Sequence, residues 1–143
     1  MIFMKKLHFF VILFLLLATT LCGQQSDGTN AADSDTTIKP NQKIYYGTAS
    51  YYADKFNGRK TANGEIYDGT KYTAACNVLP LGTWIRVTNS RNKKSVIVKV
   101  NDRLHPRMKR VVDLSRAAAE KLGYIGRGLT QVKVEVLGKK RPA

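Results

Sequence analysis

The stretch 83–102, TWIRVTNSRNKKSVIVKVND, indicates how this chain folds. Its first run, TWIRVTN, places an isoleucine and a valine on one face, and its second run, SVIVKVN, places three valines on one face. Apolar residues at every second position are typical of a β-strand with one buried face. The polar residues between the two runs, SRNKK, are typical of a short turn, so the stretch predicts a β-hairpin.

Two further segments have the composition or the period of strands. Residues 44–52, IYYGTASYY, are rich in aromatic and β-forming residues, and we expect Gly47 to interrupt this first strand. Residues 131–137, QVKVEVL, alternate like the hairpin, with three valines on one face and with Lys133 and Glu135 on the solvent face. Each segment therefore predicts one more strand around a single modest core.

One helix is predicted over Arg116–Leu122, because the sequence RAAAEKL has high helix propensity. Ser115 before it is a good N-terminal cap, and Gly123 after it suits the left-handed conformation that ends many helices. Several short strands and one brief helix within about 100 residues predict a mainly β domain, first of all a small closed barrel. An open sandwich is the alternative, and periodicity does not separate the two.

The N-terminal residues 1–23 have the pattern of a secretory signal peptide. Lys5 and Lys6 precede the apolar run FFVILFLLLA, which is shorter than the roughly 20 residues that span a bilayer. An uncleaved membrane anchor is the alternative. Cys22 is a candidate lipidation site, although the bulky Leu21 before it departs from the usual lipoprotein pattern. We expect an exported protein, located in the periplasm or in the outer-membrane-associated cell envelope.

The rest of the chain divides into a tether and one basic domain. Residues 24–42, QQSDGTNAADSDTTIKPNQ, contain few apolar side chains and predict a disordered linker, which leaves residues 43–143 as the folded domain. The whole chain has 24 Lys and Arg against 10 Asp and Glu. Such an excess favours an anionic partner, and an anionic cell-wall polymer or a lipid surface suits an exported protein better than nucleic acid does. A merely solvated basic surface is the alternative.

The candidate chemistry lies where the hairpin's second strand ends. Asp102 begins the loop that continues RLHPRMKR, and such strand ends often carry functional groups. The alternative is that its carboxylate caps its own turn. Cys76 is the only cysteine outside the N-terminal segment, and a small buried side chain is a better interpretation of it than a nucleophile paired with His105. No metal-ligand spacing, phosphate loop or base-stacking motif is present, so we expect neither a metal nor a cofactor.

Seven short motifs, in order along the folded part, resemble the rare lipoprotein A family of bacterial cell-envelope proteins. A set of motifs in register is far more specific than any one of them. The resemblance implies a six-stranded double-psi β-barrel with one or two short helices, related in shape to expansins and barwin-like domains. The motifs are residues 47–52 (GTASYY), 56–65 (FNGRKTANGE), 72–75 (YTAA), 79–83 (LPLGT), 87–89 (VTN), 100–103 (VNDR) and 112–115 (VDLS).

The resemblance also implies an activity on peptidoglycan. Active family members resemble lytic transglycosylases, which are lyases that cut between N-acetylmuramic acid and N-acetylglucosamine without water and leave anhydro-muramyl ends during cell-wall remodelling. One acid can protonate the leaving oxygen and then, as a base, take the proton of the attacking muramyl hydroxyl. We expect peptidoglycan glycan strands as the partner, no nucleic acid, a membrane only through a lipid anchor, and a monomer. The alternative function is that of a non-catalytic, expansin-like protein that binds glycan strands.

Carried over by position, the resemblance makes Asp102 the catalytic acid and Glu65 a second acidic site residue. The third catalytic position, directly after TAA, is a histidine in the family and Cys76 in this chain. A thiol does not supply the positive charge or the two-ended hydrogen bonding of an imidazole. His105, on a neighbouring loop, is a candidate to take its place. Substrate contacts are expected from Tyr51, Tyr52, Arg103, His105 and Asp113.

Overall fold

A computed structural model of the protein describes residues 42–143. The predicted signal peptide, Cys22 and all but the last residue of the predicted tether lie outside this range. Within it, no helix is long and apolar enough to cross a membrane. The elements, in chain order, are β1 (Ile44–Tyr51), the 3₁₀ turn Asp54–Phe56, β2 (Thr73–Ala75), β3 (Trp84–Asn89), β4 (Ser95–Asp102), β5 (Val112–Leu114), α1 (Arg116–Leu122), the 3₁₀ turn Ile125–Arg127 and β6 (Thr130–Gly138).

The six strands close into a barrel in the order β1-β5-β2-β4-β3-β6. β1 runs parallel to β5 and β2 runs parallel to β4, whereas the other neighbouring pairs are antiparallel. Closure leaves no unpaired sheet edge. The prediction of a mainly β fold with a six-stranded double-psi barrel and a short helix is confirmed, and the open sandwich is excluded.

The predicted hairpin is formed by β3 and β4. Ile85, Val87, Val98 and Val100 alternate along the two strands and are completely buried in the barrel. Burying one such side chain contributes about 1.5–3 kcal/mol to stability, so this pair of strands is a large part of the core. β4 continues past these valines to Asp102, which is only partly buried. The strand therefore delivers a carboxylate to the rim of the barrel.

Helix α1 has the predicted ends. The Ser115 hydroxyl accepts a hydrogen bond from the N–H of Ala118, and Gly123 adopts the left-handed conformation with a φ of 71°. The chain then turns back to the barrel, where the buried Tyr124 donates its hydroxyl to the carbonyl of Ser50 at 2.9 Å. This bond fixes the end of β1, where Tyr51 and Tyr52 lie.

Two expectations about the strands are wrong. β1 runs through Gly47 without interruption. A side chain there would place its Cβ 3.1 Å from that of Val111, so the glycine permits close packing rather than a break. Glu135 is buried, with 7% of its surface exposed. Its register partners on the two neighbouring strands are Ile44 and Arg86, and the ammonium of Lys133 lies 3.2 Å from its Oε1, so neighbouring side chains cover the carboxylate.

Candidate active site

A cavity of about 560 Å³ opens at the rim of the barrel, where β1 and β4 end and β5 begins. Its walls combine aromatic rings with carboxylates and basic groups, and a concave site with a few convergent polar groups is the usual form of a ligand-binding site. In residues 42–143, no group of three or more His, Cys, Asp or Glu side chains lies together as a metal site. The cavity brings together six of the predicted site residues: Tyr51, Tyr52, Asp102, Arg103, His105 and Asp113.

Asp102 is held by three hydrogen-bond donors. Its Oδ1 accepts the main-chain N–H groups of Ala62 and Arg103, each at 2.8 Å, and its Oδ2 accepts the hydroxyl of Tyr52 at 2.7 Å. The bond from Arg103 is the turn cap that was the alternative interpretation of Asp102. The same carboxylate also faces the cavity. Because a carboxylate has about four acceptor positions, one position on Oδ2 remains for a ligand.

Asp102 also differs from the other carboxylates of residues 42–143 in having no basic side chain within ion-pair distance. In an ion pair, the basic side chain occupies acceptor positions of the carboxylate, which leaves fewer of them for a ligand. Among the acids of the described range, Asp102 is therefore the best candidate for acid–base chemistry. The paired carboxylates are Asp54 and Glu120 (both with Arg116), Glu65 (Lys99), Asp68 (Lys71), Asp113 (Arg110) and Glu135 (Lys133).

Glu65 does not line the cavity but lies on the turn 61–66, which packs on β4. Its Oε1 accepts the Lys99 ammonium at 2.7 Å, and its Oε2 accepts the amide of Asn101 at 3.0 Å. The hydrogen bond from Lys99, and then that from Asn101, hold the pKa of Glu65 below its usual value. Glu65 is therefore ionised near neutral pH, which suits an anchor better than a proton donor.

The turn that carries Glu65 brings a main-chain donor to Asp102. The N–H of Asn63 donates to the carbonyl of Asn101 at 3.1 Å, and the side-chain oxygen of Asn63 accepts the N–H of Glu65 at 3.0 Å. These contacts fix the turn directly after Ala62, whose N–H reaches Oδ1 of Asp102. Glu65 is thus connected to the cavity through the backbone of its own turn.

Cys76 follows β2 and is completely buried, with a free thiol, in the apolar core. The main chain of Cys76, and not its side chain, joins it to the site. Its N–H donates to the carbonyl of Asp102 at 3.1 Å, and its carbonyl accepts the guanidinium of Arg103. Cys76 is absent from the cavity wall. The position at which the family resemblance implies a histidine is thus filled here by a small, buried side chain.

Arg103 and His105 reach the cavity from the loop after β4. One guanidinium nitrogen of Arg103 donates to the carbonyls of Cys76 and Leu79, the latter at 2.8 Å, and so ties the segment after β2 to the end of β4. His105 is exposed, and its Nδ1 accepts the N–H of Arg107 at 3.3 Å. The neutral ring therefore carries its proton on Nε2, which makes that nitrogen a donor to a ligand.

Asp113 lies on another wall of the cavity. Its Oδ1 accepts the hydroxyl of the buried Ser50, and Nε of Arg110 lies 3.1 Å from the same oxygen. The Nε–H of the Arg110 guanidinium does not point at this oxygen, so the contact is an ion pair without a hydrogen bond. Asp113 is thereby fixed as a hydrogen-bond acceptor at the edge of the cavity.

The sequence patterns missed part of the aromatic and basic wall. Tyr67 is buried, and its ring centroid lies 4.7 Å from that of Tyr52. Lys55 and Arg59 lie 5.5 and 5.4 Å from the ring centroid of Phe56, which itself packs edge-on against Tyr52. These residues belong to loops and to the 3₁₀ turn Asp54–Phe56, none of which has a hydrophobic period. The only signal that points to most of them is their place in or beside the motif FNGRKTANGE.

Comparisons with known proteins agree with this architecture. Residues 44–134 match the family model described as lytic transglycolase. The endolytic peptidoglycan transglycosylase RlpA of Pasteurella multocida strain Pm70 is 54% identical over 92 residues, which cover 64% of this chain and 31% of the relative. RlpA of Pseudomonas aeruginosa strain UCBPP-PA14 is 58% identical over 89 residues, which cover 62% of this chain and 26% of the relative. This chain thus spans about a third or less of the length of these relatives.

Solved structures show the same barrel. The expansin of Clavibacter michiganensis superposes with a TM-score of 0.56 at 21% identity, over 71% of this chain and 52% of the expansin, and this likeness concerns the fold alone. The Streptomyces papain inhibitor superposes with a TM-score of 0.53 at 25% identity, over 66% of this chain and 94% of the inhibitor. From its sequence motifs, its closed barrel and its matched residues, the chain belongs to the rare lipoprotein A family of lytic transglycolase double-psi β-barrels.

Proposed function

We propose that this protein is an endolytic peptidoglycan lytic transglycosylase, which cleaves glycan strands between N-acetylmuramic acid and N-acetylglucosamine and leaves anhydro-muramyl ends. The observation that carries the proposal is the environment of Asp102. It is a carboxylate without an ion-pair partner in the described range, held by three donors at the wall of an open cavity. The names of the RlpA relatives supply the substrate and the type of cleavage.

In this proposal Asp102 carries both proton transfers. Its acid form gives a proton to the glycosidic oxygen as the bond from that oxygen to the muramyl anomeric carbon breaks. The primary hydroxyl of the same muramyl residue then bonds to that carbon and closes the anhydro ring, and its proton passes to the Asp102 carboxylate. The acid is thereby regenerated and no water is consumed. General acid–base catalysis of this kind is worth about 10²–10⁴-fold in rate.

The other site residues support Asp102 or hold the strand. We place Glu65 as an anchor of the turn that donates to Asp102, and Cys76 as a main-chain contact beneath it. Tyr51 and Tyr52 present aromatic surface to the sugars, while His105 and Asp113 offer a donor and an acceptor to their hydroxyls. The basic residues Lys55, Arg59 and Lys60 on the same wall suit the carboxylates of peptidoglycan.

The cellular setting is part of the proposal. The sequence pattern of residues 1–23 supports export, and Cys22 is proposed as a lipid attachment site that would hold the domain at the envelope. The protein then meets peptidoglycan in the periplasm or at the outer membrane, and it acts as a monomer.

One observation favours a second function, that of a non-catalytic glycan-strand binder. The side chain of Cys76 lies in the core instead of in the cavity, at the position where the family resemblance implies a histidine. A binder would keep the aromatic and basic walls and have no use for proton transfer. Incubation of the purified protein with glycan strands stripped of stem peptides separates the two functions. Mass spectrometry that detects anhydro-muramyl ends supports the enzyme, and strand binding without such ends supports the binder.

A further inference from the structure

We propose that Tyr52 is a positioning residue for proton transfer, whose hydroxyl fixes Oδ2 of Asp102, the carboxylate oxygen that carries the proton. This role goes beyond the sugar contact that was predicted for Tyr52 from the sequence. It rests on the proposed function, because it concerns the acid of that same reaction.

The two oxygens of Asp102 are not equivalent. Oδ1 accepts two main-chain N–H groups, from Ala62 and Arg103. A main-chain N–H can only donate, so a proton on Oδ1 would face two other protons and would break both bonds. Within residues 42–143, Oδ2 has one hydrogen-bond partner, the hydroxyl of Tyr52 at 2.7 Å. The proton of the acid form therefore resides on Oδ2.

A hydroxyl is the partner that such an oxygen needs, because it can both donate and accept. When Asp102 is ionised, the Tyr52 hydroxyl donates to Oδ2. When Asp102 is protonated and the cavity is empty, the same hydroxyl can accept the proton of Oδ2 in a hydrogen bond. Tyr52 thus keeps one geometry in both states of the acid, and no proton has to leave the tyrosine at any step.

Tyr52 is fixed tightly enough for this role. Its main-chain N–H donates to the carbonyl of Leu114 at 3.0 Å, which holds the residue beside β5. Its ring packs against Tyr67, with centroids 4.7 Å apart, and edge-on against Phe56, with centroids 5.6 Å apart. Burial, and then the hydrogen bond to Asp102, raise the pKa of Tyr52, so the phenol keeps its proton throughout the working range of pH.

The neighbouring Tyr51 provides a matched control. It lines the same cavity, but its hydroxyl donates to the carbonyl of Ile125 at 3.0 Å and does not reach a carboxylate. Tyr51→Phe and Tyr52→Phe each remove one phenolic oxygen from the same cavity, and both leave the ring in place. Only Tyr52→Phe removes a partner of Asp102.

The test compares kcat and KM of the wild type and of both variants on glycan strands stripped of stem peptides, with anhydro-muramyl ends counted by mass spectrometry. We expect Tyr52→Phe to lower kcat at least tenfold, a part of the full general-acid effect, while KM changes less than about twofold. Tyr51→Phe, which changes another wall residue of the same cavity, should lower kcat less than Tyr52→Phe does. Tyr46→Phe, at an exposed tyrosine outside the cavity wall, is the unchanged control and should leave kcat within about twofold of the wild type. The melting temperatures are measured alongside, so that a loss of folding is not read as a loss of catalysis.

A rise of KM in Tyr52→Phe at an unchanged kcat would overturn the proposal, because it would make Tyr52 a sugar contact only. An equal loss of kcat in Tyr51→Phe and Tyr52→Phe would also overturn it. A wild type that forms no anhydro-muramyl ends overturns the proposed function, and with it this role of Tyr52. The contact itself is tested separately by the carboxyl ¹³C resonance of Asp102, which should shift in Tyr52→Phe and not in Tyr51→Phe.

Discussion

The ammonium of Lys99 lies 2.7 Å from Oε1 of Glu65, and this ion pair joins the turn 61–66 to strand β4. The two side chains are 35% and 44% exposed, so the pair contributes at most about 1 kcal/mol to global stability. Its importance is local, because the same turn presents the N–H of Ala62 to Asp102. The residue that the sequence suggested as a second catalytic acid is better understood as the anchor of a donor to the first.

Neutralising Glu65 should therefore cost less than truncating it. We expect Glu65→Gln to keep cleavage within about fivefold of the wild type, because the amide oxygen still accepts a hydrogen bond from β4. Glu65→Ala and Lys99→Met should each lower kcat about tenfold, since both release the turn. Initial rates of anhydro-end formation measure this, and Lys71→Met, which removes only an exposed ion pair with Asp68, is the matched control. A Glu65→Gln variant as inactive as Glu65→Ala contradicts the anchor role and makes Glu65 an acid or base.

The same anchor predicts a pH dependence of stability. Because the folded state holds the pKa of Glu65 below its ordinary value, its contribution is fully present above that ordinary value and is lost as the pH falls through the lower, folded value. The difference in unfolding free energy between the wild type and Glu65→Gln should be constant above about pH 5.5 and should shrink below about pH 4. Denaturant unfolding at several pH values measures it. Asp68, whose pKa is lowered in the same direction by its bonds to Thr70, is present in both proteins and cancels in the comparison.

Placing an imidazole at position 76 should destabilise the barrel. Cys76 is completely buried in the core, and forcing a larger side chain into a packed interior costs about 1–3 kcal/mol. We expect Cys76→His to lower the free energy of unfolding by that amount without raising cleavage, and Cys76→Ala to lower it less. Denaturant unfolding and the strand-cleavage assay together check this. A Cys76→His variant of normal stability and higher activity would instead mean that the position faces the substrate and lacks a catalytic group.

Arg103 should behave as a structural residue although it lines the cavity. Its guanidinium binds the carbonyls of Cys76 and Leu79, and hydrogen bonds to charged groups are worth about 1.5–3 kcal/mol when they are shielded from water. We expect Arg103→Gln to lower stability by about 1–2 kcal/mol, after allowance for the exposure of the side chain. Arg107→Gln, an exposed change on the same loop, should leave stability unchanged. Weaker strand binding by Arg103→Gln at an unchanged melting temperature would restore the role of substrate contact that the sequence predicted.

Sequence patterns predicted the elements that have a long alternating run or clear helix caps. The alternation of β3, β4 and β6 and the two ends of α1 could be predicted because each rests on local rules over six or more residues. β2 and β5 have three residues each, too few for a period, and both are strands only because the barrel closes around them. No strand was predicted at either place, although both lie within family motifs.

The sequence predicted which residues form the site, but not what each of them does there. The motifs identified Asp102 and most of the residues around it. They did not indicate that Glu65 would be bound to Lys99 and Asn101, nor that the Cys76 side chain would lie in the core. Such contacts join residues far apart in the chain, and they depend on how the loops fold over the barrel. A single sequence carries no local signal for them.

The role of Asp102 as the acid of a lytic cleavage is tested most directly by mass spectrometry of glycan strands treated with the wild type and with Asp102→Asn. We expect anhydro-muramyl ends with the wild type and none with Asp102→Asn, which should still bind the strands and unfold at nearly the same temperature. Strands that are bound but uncut by the wild type would contradict it, and so would products with reducing ends formed by water.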